Sequence, residues 1–426
     1  MGGLIINLKQ NLTQYKGLPR EIYILFIGRI INCIGSFVTP LMALILTQKF
    51  GMSATQSGNF IAIQACLQGL SLLLGGKLVD SFGRKKIIVI CQSLGAIMLL
   101  TCGFMPISIL TTKMMMASSC FYSMAMPAYD ALNADVTNSE NRKLSYSLLY
   151  MGVNLGFSIG PIIGGFLYKH YLPLVFILDA VTTLASMILI VMLIKEKKIV
   201  KNLEEYEEKD NLQEENQLEN IVEGSVFKVL LKRPILIAFG IIMFFIEFTY
   251  AQWVFALPLQ LGTLFGSDGA KLYGLLGATN GIIVIIATPF LMRLTKNTSE
   301  LNNVCLSGFI YVISFLMFGF ISSSTLFFFG VILMTFGEVI GATNVSTFIA
   351  NNSPASHRGR ISSILSIISR TGYSISPMVI GNVIDKCGIS QGYIVTASSS
   401  MIAVSLIFMV NKLMLNEKVM ESENNV

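Results

Sequence analysis

Apolar runs of about 20 residues, separated by short polar segments, repeat along almost the whole chain. A run of that length, folded as an α-helix, crosses the ~30 Å hydrocarbon core of a lipid bilayer. The pattern predicts an all-α integral membrane protein with twelve transmembrane helices. The predicted spans are residues 22–46, 58–79, 87–106, 114–134, 145–168, 172–194, 234–258, 272–292, 302–321, 325–349, 362–384 and 391–411.

One long segment breaks the apolar pattern. Residues 195–233 are densely charged and almost free of aromatic side chains, a composition that favours a solvated cytoplasmic linker. The linker divides the chain into an N-terminal six-helix bundle, residues 1–194, and a C-terminal six-helix bundle with a short cytoplasmic tail, residues 234–426.

The two halves look like copies of one another. Residues 141–166 align with residues 357–382 without a gap, and identical residues recur at this constant offset, for example Pro161 and Pro377. A repeat of six spans predicts two pseudo-symmetric bundles related by an axis along the membrane normal. The interface between the halves is then the natural place for a central site.

The charge distribution sets the class of protein and its orientation. Only 13% of the residues are charged and 53% are hydrophobic, against roughly 25% charged residues in an ordinary soluble domain. Most of the 30 Lys and Arg residues fall in or beside segments on the same side of the membrane as the N-terminus, and the positive-inside rule makes that side cytoplasmic. We therefore expect a multi-pass cell-membrane protein with both termini in the cytoplasm. The net charge of +6 then reflects topology and indicates no nucleic-acid partner.

The residue inventory argues against several other functions. The seven cysteines are scattered without paired spacing and there are only two histidines, so we expect no disulfide framework, no metal site and no cofactor. No GxxxxGK[ST] nucleotide loop occurs, which with the scarcity of histidine disfavours an enzyme or a receptor. The first twenty residues carry no small-residue cleavage pattern, so we predict no removable signal peptide.

The second predicted span ends in the sequence GGKLVDSFGRKK, from Gly75 to Lys86. Gly76 and Asp80 share one helix face, so the glycine allows a neighbouring helix to approach and the carboxylate to pair with it. Gly83 permits a tight reversal, and the cations after it anchor the loop to the anionic cytoplasmic surface. We predict a breakable cytoplasmic clasp made of Gly76, Asp80, Gly83, Arg84, Lys85, Asp135 and Arg142.

A second motif, GFSIGPIIGG, lies in the fifth predicted span. Gly156, Gly160 and Gly164 recur every four residues and form a bare stripe against which another helix packs closely. Pro161 removes a backbone donor and bends the helix, and Gly165 ends the motif. A plain packing interface and a moving gate explain this pattern about equally well.

Both motifs resemble signatures of the major facilitator superfamily. The first matches the loop between its second and third helices, G-x-x-x-D-R-x-G-R-K, except that Ser81 stands where arginine is usual. The second fits the G-x-x-x-G-P-x-x-G-G signature of its drug:proton antiporters. The resemblance implies a fold in which helices one, four, seven and ten line a central path and helices two, five, eight and eleven form the interface between halves. It also implies that the missing arginine weakens the closed clasp.

Charged residues inside the spans need a reason, because each costs about 2.5 to 3.5 kcal/mol at mid-membrane. Arg29 and Asn32 share one sector of span one, so this polar stripe must face a cavity or partner helices. Asp179 is near the outer end of span six, where a solvated helix end explains it. Asp130 is near the cytoplasmic end of span four, where it belongs with the clasp. The charged residues inside spans are Arg29, Asp130, Asp179, Glu247, Glu338 and Arg370.

Glu247 in span seven and Glu338 in span ten are the candidates for proton coupling, together with Arg29. Burial favours the neutral form of a carboxylic acid, which lets it pick up and release protons in the physiological range. The alternative is that each acid is permanently paired with Arg29 or Arg370. The candidate substrate-cavity residues are Asn32, Tyr250, Gln252, Trp253, Asn280 and Asn344.

These features predict a secondary active transporter that exports small, largely hydrophobic compounds in exchange for protons by alternating access. The abundant Phe, Tyr and Met side chains suit adaptable contacts with bulky apolar molecules. The expected partners are the small-molecule substrate, protons and membrane lipid, and one chain suffices to form the cavity. The alternative is a proton-coupled importer of a nutrient such as a sugar or peptide, although span one lacks the glutamate and arginine signature of the peptide transporters.

Overall fold

The computed structural model describes residues 15–138, 141–194, 230–231, 233–353 and 358–424, and the regular secondary structure in these residues is helical throughout. Nine helical segments among them are long and apolar enough to cross a membrane, and one of these, Pro234–Leu294, contains two successive spans. Two further long helices, Ile109–Asp135 and Arg358–Cys387, carry more polar side chains. Each of the twelve predicted spans falls on one of these helices, which confirms the predicted fold class.

We number the twelve spanning helices in chain order. They are α1 (Arg20–Gly35, Val38–Leu44 and the π-helical turn Ile45–Lys49), α2 (Ala54–Phe82), α3 (Arg84–Phe104), α4 (Ile109–Asp135), α5 (Arg142–His170), α6 (Leu172–Leu193), α7 (Pro234–Tyr250, the 3-10 turn Ala251–Trp253 and Ala256–Phe265), α8 (Gly269–Leu294), α9 (Glu300–Phe320), α10 (Ser324–Asn352), α11 (Arg358–Cys387) and α12 (Ile389–Asn424). Because the number of crossings is even, α1 begins and α12 ends on the same side. We call that side the termini face and the other side the opposite face.

Helix packing follows the internal repeat. In the first bundle α1 packs on α5 and α6, and in the second α7 packs on α11 and α12. The pairs α2–α4, α3–α4 and α3–α6 likewise correspond to α8–α10, α9–α10 and α9–α12. The two bundles meet mainly through α2 with α11 and α5 with α8. The predicted linker lies outside the described residues apart from positions 230, 231 and 233, so the domain boundaries stay a prediction.

The helix α1 breaks in mid-membrane, and a buried acid stabilises the break. Pro40 is the third residue of the second piece of α1 and has no N–H to donate. The backbone N–H groups of Phe37 and Val38, at the start of this piece, both donate to Asp179 Oδ2 of α6 at 3.1 Å, and that of Phe37 also donates to the carbonyl of Gly35. Asp179 is 5% exposed. Its interpretation as a solvated helix end is therefore wrong, since it acts as a cap inside the bundle.

Both inter-bundle interfaces close through contacts between a glycine and a backbone carbonyl. The carbonyl of Pro161 in α5 faces Gly274 in α8, and the carbonyl of Pro377 in α11 faces Gly58 in α2. The residues of one pair relate to those of the other at the same offset that aligns residue 141 with residue 357. The repeat therefore extends from the sequence into the packing, and a side chain at either glycine would push the bundles apart.

Further contacts close the opposite face. Ala43 of α1 and Phe255 of α7 are fully buried in one small apolar cluster there. Asp385, near the end of α11, accepts hydrogen bonds from the first backbone N–H groups of α2, those of Ala54 at 3.0 Å and Thr55 at 2.8 Å. These bonds join the two bundles, and we call them, together with the apolar cluster, the seal of the opposite face.

Candidate functional site

Among the described residues, each bundle contains a cavity lined by polar membrane residues that the sequence singles out. The cavity of the N-terminal bundle has a volume of about 230 Å³ and is lined by Arg29 and Asn32. The cavity of the C-terminal bundle has a volume of about 190 Å³ and is lined by Glu247 and Glu338. The first cavity is thus lined by a cation, Arg29, and one acid, Asp130, whereas the second is lined by two acids.

The N-terminal cavity is centred on Arg29. The Arg29 Nη1 atom lies 3.9 Å from the sulfur of Met126, and its guanidinium carbon lies 5.6 Å from the ring centroid of Tyr129. Asn32, one turn further along α1, donates to Thr183 Oγ1 of α6 at 3.1 Å. The predicted polar stripe of α1 therefore lines a cavity and also ties α1 to α6.

Asp130 and Gln92 also line this cavity. Asp130 is exposed, and the described residues place no cationic nitrogen within 4.0 Å of it. Gln92 is 5% exposed, and its Oε1 has no hydrogen-bond partner among the described residues. Gln92 was not among the residues predicted from the sequence, although a lone amide in the apolar run IIVICQSLGA was an available signal.

Glu338 is held in the C-terminal cavity by side chains from two other helices. Asn280 of α8 donates from Nδ2 to Glu338 Oε2 at 2.7 Å and to Thr335 Oγ1 at 2.9 Å. The hydroxyl of Tyr250 in α7 faces the same carboxylate. Tyr311 of α9, which the sequence pattern did not reveal, lines the cavity with its ring centroid 6.0 Å from that of Tyr250. A change in the protonation of Glu338, or a ligand bound to it, therefore directly affects its contacts with side chains of α7 and α8.

The two glutamates share this cavity without a direct counter-ion. Among the described residues, neither has a cationic nitrogen within 4.0 Å. Arg370 of α11 attracts Glu247 from a greater distance, while its guanidinium carbon lies 5.9 Å from the ring centroid of Tyr373. Arg29 lines the cavity of the other bundle. This geometry does not show the permanent ion pairs of the alternative interpretation.

Three predicted substrate-facing residues are engaged between helices instead. Gln252 is fully buried, and its Nε2 donates to Ser376 Oγ of α11. Trp253 is 8% exposed and packs against Tyr273 with the ring centroids 5.6 Å apart. Asn344 Oδ1 accepts a hydrogen bond from Asn303 Nδ2 at 2.9 Å. A polar side chain inside the membrane needs a hydrogen-bond partner. These contacts stabilise the break of α7 and the termini-face end of α10.

The predicted clasp is formed only in part. Arg84 Nε lies 2.9 Å from Asp135 Oδ2, so these two residues pair as expected. Arg142 donates instead to Thr137 Oγ1 at 3.5 Å. Asp80 is exposed, and the structure shows no ion pair between it and another described residue. Lys85 Nζ donates to the backbone carbonyl of Val191 at 2.9 Å, so the clasp is joined to α6.

The structure contradicts the predicted role of Gly76 and confirms that of Gly83. A Cβ atom added at Gly76 would meet nothing within 4 Å, so Gly76 does not allow the close approach expected of it. Gly75 does so, because it lies against the backbone carbonyl of Met124 in α4. Gly83 has φ +88°, a conformation that favours glycine, and it turns the chain from α2 directly into α3.

The glycine motif of α5 serves two interfaces. Gly156, Gly160 and Gly164 lie against Cys33, Ile34 and Phe37 of α1, so the predicted stripe packs within the N-terminal bundle. Gly165 and the carbonyl of Pro161 instead face α8 of the other bundle at Ala270 and Gly274. The motif thus joins α1, which lines the N-terminal cavity, to an interface between bundles.

Comparisons with known proteins agree with this architecture. The family model described as "Major Facilitator Superfamily" matches residues 25–377. The Na(+), Li(+), K(+)/H(+) antiporter of Planococcus maritimus is 23% identical over 362 residues, which cover 80% of this chain and 84% of that protein. Multidrug resistance protein 2 of Bacillus subtilis is 24% identical over 327 residues, which cover 74% and 76%.

A solved structure shows the same fold. It is a bacterial homologue of the human lysosomal transporter Spinster in an inward-facing and unoccupied conformation, with a TM-score of 0.70 and 15% identity over 93% of this chain and 97% of that one. The family match and the fold identify a transporter, and they exclude an enzyme. The chain belongs to the Major Facilitator Superfamily of membrane transporters.

Proposed function

We propose that this chain exports small, largely hydrophobic compounds in exchange for protons by alternating access. The observation that carries the proposal is the pair of carboxylates, Glu247 and Glu338, on one cavity with no cationic nitrogen within 4.0 Å among the described residues. Two such groups repel each other when both are ionised, so one of them takes up a proton readily. Coupling to protons requires a group of this kind at the translocation cavity.

Glu338 is our first candidate for the coupling acid. An ionised Glu338 accepts the hydrogen bond from Asn280 and faces the hydroxyl of Tyr250. Once protonated, one carboxyl oxygen must itself donate a hydrogen bond, so at least one of its contacts with α7 and α8 changes. Proton binding thereby changes how α10 is held against two neighbouring helices, one of which, α8, forms part of the interface between bundles.

We assign the termini face to the cytoplasm, because most Lys and Arg residues lie in or beside segments on that side. The C-terminal cavity extends from Tyr250 and Glu338 along α7 and α10 towards this face, as far as Met243 and Ser346. In that orientation substrate enters from the cytoplasm while the seal at the opposite face excludes the outside. Protons enter from outside after the seal opens, and substrate and proton then compete for the cavity.

Two relatives support parts of the proposal. One is named as an antiporter that exchanges monovalent cations for protons, and another as a multidrug resistance protein. The glycine motif of α5 resembles the signature of drug:proton antiporters. A proton crossing 100 mV supplies about 2.3 kcal/mol, enough to concentrate a neutral substrate roughly fiftyfold.

Transport in inside-out vesicles with an acidic lumen tests this function. We expect wild-type protein to accumulate the lipophilic cation rhodamine 6G and the neutral dye Nile red only when the pH gradient is present. Glu338→Gln keeps the shape of the side chain and removes its titration, so gradient-driven accumulation should be lost while dye exchange without a gradient persists. Glu247→Gln is the parallel variant for the second acid.

The matched control is Glu21→Gln, which removes an acid in the first turn of α1, away from both cavities. It should accumulate both dyes like the wild type. Dye accumulation by the wild type that is the same with and without the pH gradient would contradict proton exchange. Gradient-driven uptake into right-side-out vesicles would identify the alternative, a proton-coupled importer.

A further inference from the structure

Arg29 is a charged group in the membrane whose direct contacts do not neutralise it. It is partly buried, lines the N-terminal cavity, and touches the thioether of Met126 and the ring face of Tyr129. The described residues place no carboxylate oxygen within 4.0 Å of its guanidinium. A thioether and an aromatic ring replace little of the hydration that a guanidinium loses. The cation is therefore available to a ligand.

The surroundings of Arg29 are suited to a polar ligand group. Hydroxyl side chains of α4, Ser119, Tyr122 and Ser123, line the same cavity. Gln92 also lines the cavity, and only 5% of it is exposed. Its Oε1 has no hydrogen-bond partner among the described residues. That oxygen is an acceptor and does not itself bind an anion, so the donors for an anion in this cavity are the hydroxyl groups of α4.

Asp130 is the one acid on the described lining of this cavity. It lies one residue beyond Tyr129, nearer the end of α4 at the termini face, and it is exposed. Water therefore solvates Asp130 and weakens its attraction for Arg29. Arg29 remains the group best placed to bind an anion inside the cavity.

We infer that the cavity around Arg29 is an anion subsite and that the preferred cargo carries a carboxylate or a similar anion on an apolar scaffold. Guanidinium is the side chain that best matches a planar carboxylate, because two parallel N–H groups bind its two oxygens. The inference rests on the proposed function, since it names the substrate class of the same exporter.

A pair of dyes that differ only in the anion tests the inference. Rhodamine B carries a cationic xanthene and a free carboxylate, and its ethyl ester keeps the scaffold and the cation but lacks the anion. Equilibrium binding to the purified full-length chain is measured by fluorescence anisotropy without any gradient. We expect wild-type protein to bind rhodamine B roughly tenfold more tightly than the ester, as the loss of one charge-assisted contact implies.

Arg29→Gln should bring the ratio of the two dissociation constants close to one, and Arg29→Lys should retain part of it, because lysine keeps the charge but not the planar fork. Lys113→Gln removes an exposed positive charge of α4 outside the cavity and should keep the wild-type ratio. Elution of each variant as one symmetric peak in size-exclusion chromatography checks folding. Benzoate should displace rhodamine B from wild-type protein more effectively than it displaces the ester.

Three results would overturn the inference: equal affinity of wild-type protein for both dyes, no binding of either dye, or an unchanged ratio in Arg29→Gln. The binding measurement needs no proton gradient, so it separates two failures. If the protein discriminates between the dyes but shows no gradient-driven transport, proton exchange is refuted and the anion subsite is supported. If it shows gradient-driven transport but does not discriminate, the anion subsite is refuted and proton exchange is supported.

Discussion

The acidic residues of the membrane helices do different work because each faces a different set of groups. Asp179 faces two backbone N–H groups and caps the break of α1. Asp135 pairs with Arg84 at the termini face. Glu338 faces a cavity, an amide and a second acid. An identical carboxylate is thus a structural cap, half of an ion pair or a candidate proton carrier according to its neighbours.

Replacing Asp179 should destabilise the fold in a way that its amide analogue largely avoids. Asp179→Leu removes the acceptor shared by two buried N–H groups, of which that of Phe37 keeps a second acceptor, the carbonyl of Gly35. A buried N–H left unsatisfied costs about 1 to 3 kcal/mol, so we expect a clearly lower melting temperature in detergent. Asp179→Asn keeps one acceptor oxygen and should lose much less. Equal melting temperatures for Asp179→Leu and wild type would show that the cap contributes nothing.

At the scale of helices, α5 packs both within its own bundle and against the other bundle. One of its faces carries the glycine stripe against α1, and another carries Gly165 and Pro161 against α8. Because the glycines have no side chain, the backbone of α5 lies in close contact with α1 on one face and with α8 on the other. The two interpretations of the motif, packing and gating, therefore refer to two faces of the same helix, because the helix that packs on α1 also meets the other bundle.

A larger side chain in the stripe should separate α5 from α1. A Cβ at Gly160 would lie 2.8 Å from the carbonyl oxygen of Ile34 and 2.9 Å from that of Cys33. Neither backbone atom moves without moving its helix, so Gly160→Val should lower both the melting temperature and the yield of folded protein. Gly69→Val is the matched control in α2, where an added Cβ meets nothing within 4 Å. A Gly160 variant as stable as the Gly69 variant would refute the close-packing role.

At the scale of the whole molecule, the two bundles share a plan but differ in their charges. The pair Arg84 and Asp135 has its counterpart, at the offset of the repeat, in Glu300 and Asn351, where Asn351 Nδ2 donates to Glu300 Oε1 at 2.9 Å. An ion pair in the first bundle thus corresponds to a hydrogen bond in the second. The energy of opening and closing the termini face is therefore expected to differ between the two bundles.

The seal of the opposite face should loosen when Asp385 is replaced. Asp385→Ala removes the acceptor of the N–H groups of Ala54 and Thr55, which join the bundles. A loss of about 1.4 kcal/mol would raise the population of the open state roughly tenfold. The measurement is the labelling rate of Ala43→Cys, buried in the seal, by a membrane-impermeant maleimide in a background where the exposed Cys66 and Cys387 are serine.

The control for this experiment is Asp268→Ala. Asp268 also joins the bundles, through Lys169 at 3.2 Å, but its side chain is 66% exposed, and such surface ion pairs contribute little. We expect its labelling rate to stay near that of the wild type. An unchanged rate in Asp385→Ala would show that the apolar contacts and the glycine interfaces hold the seal alone.

The helices and their repetition follow from the amino-acid sequence alone. Membrane helices satisfy their backbone hydrogen bonds within each segment, so the length and apolarity of a run are enough to predict a helix, and all twelve predicted spans fall on helices. The correspondence of Pro161 and Pro377 is likewise evident from the order of residues, because a repeat is a property of the chain itself. The stripe containing Arg29 pointed correctly to a cavity-lining face of α1.

The partner of each polar group, in contrast, depends on the tertiary structure. Asp179 lies about 140 positions from the N–H groups it caps, Asn280 lies 58 positions from Glu338, and Gln252 lies 124 positions from Ser376. No local pattern encodes such distances. Periodicity likewise placed Gly76 on a plausible face, but only the crossing of α2 and α4 makes Gly75 the point of contact. The hydropathy of a span depends only on the residues within that span, whereas the pairing of polar groups depends on how the helices pack together.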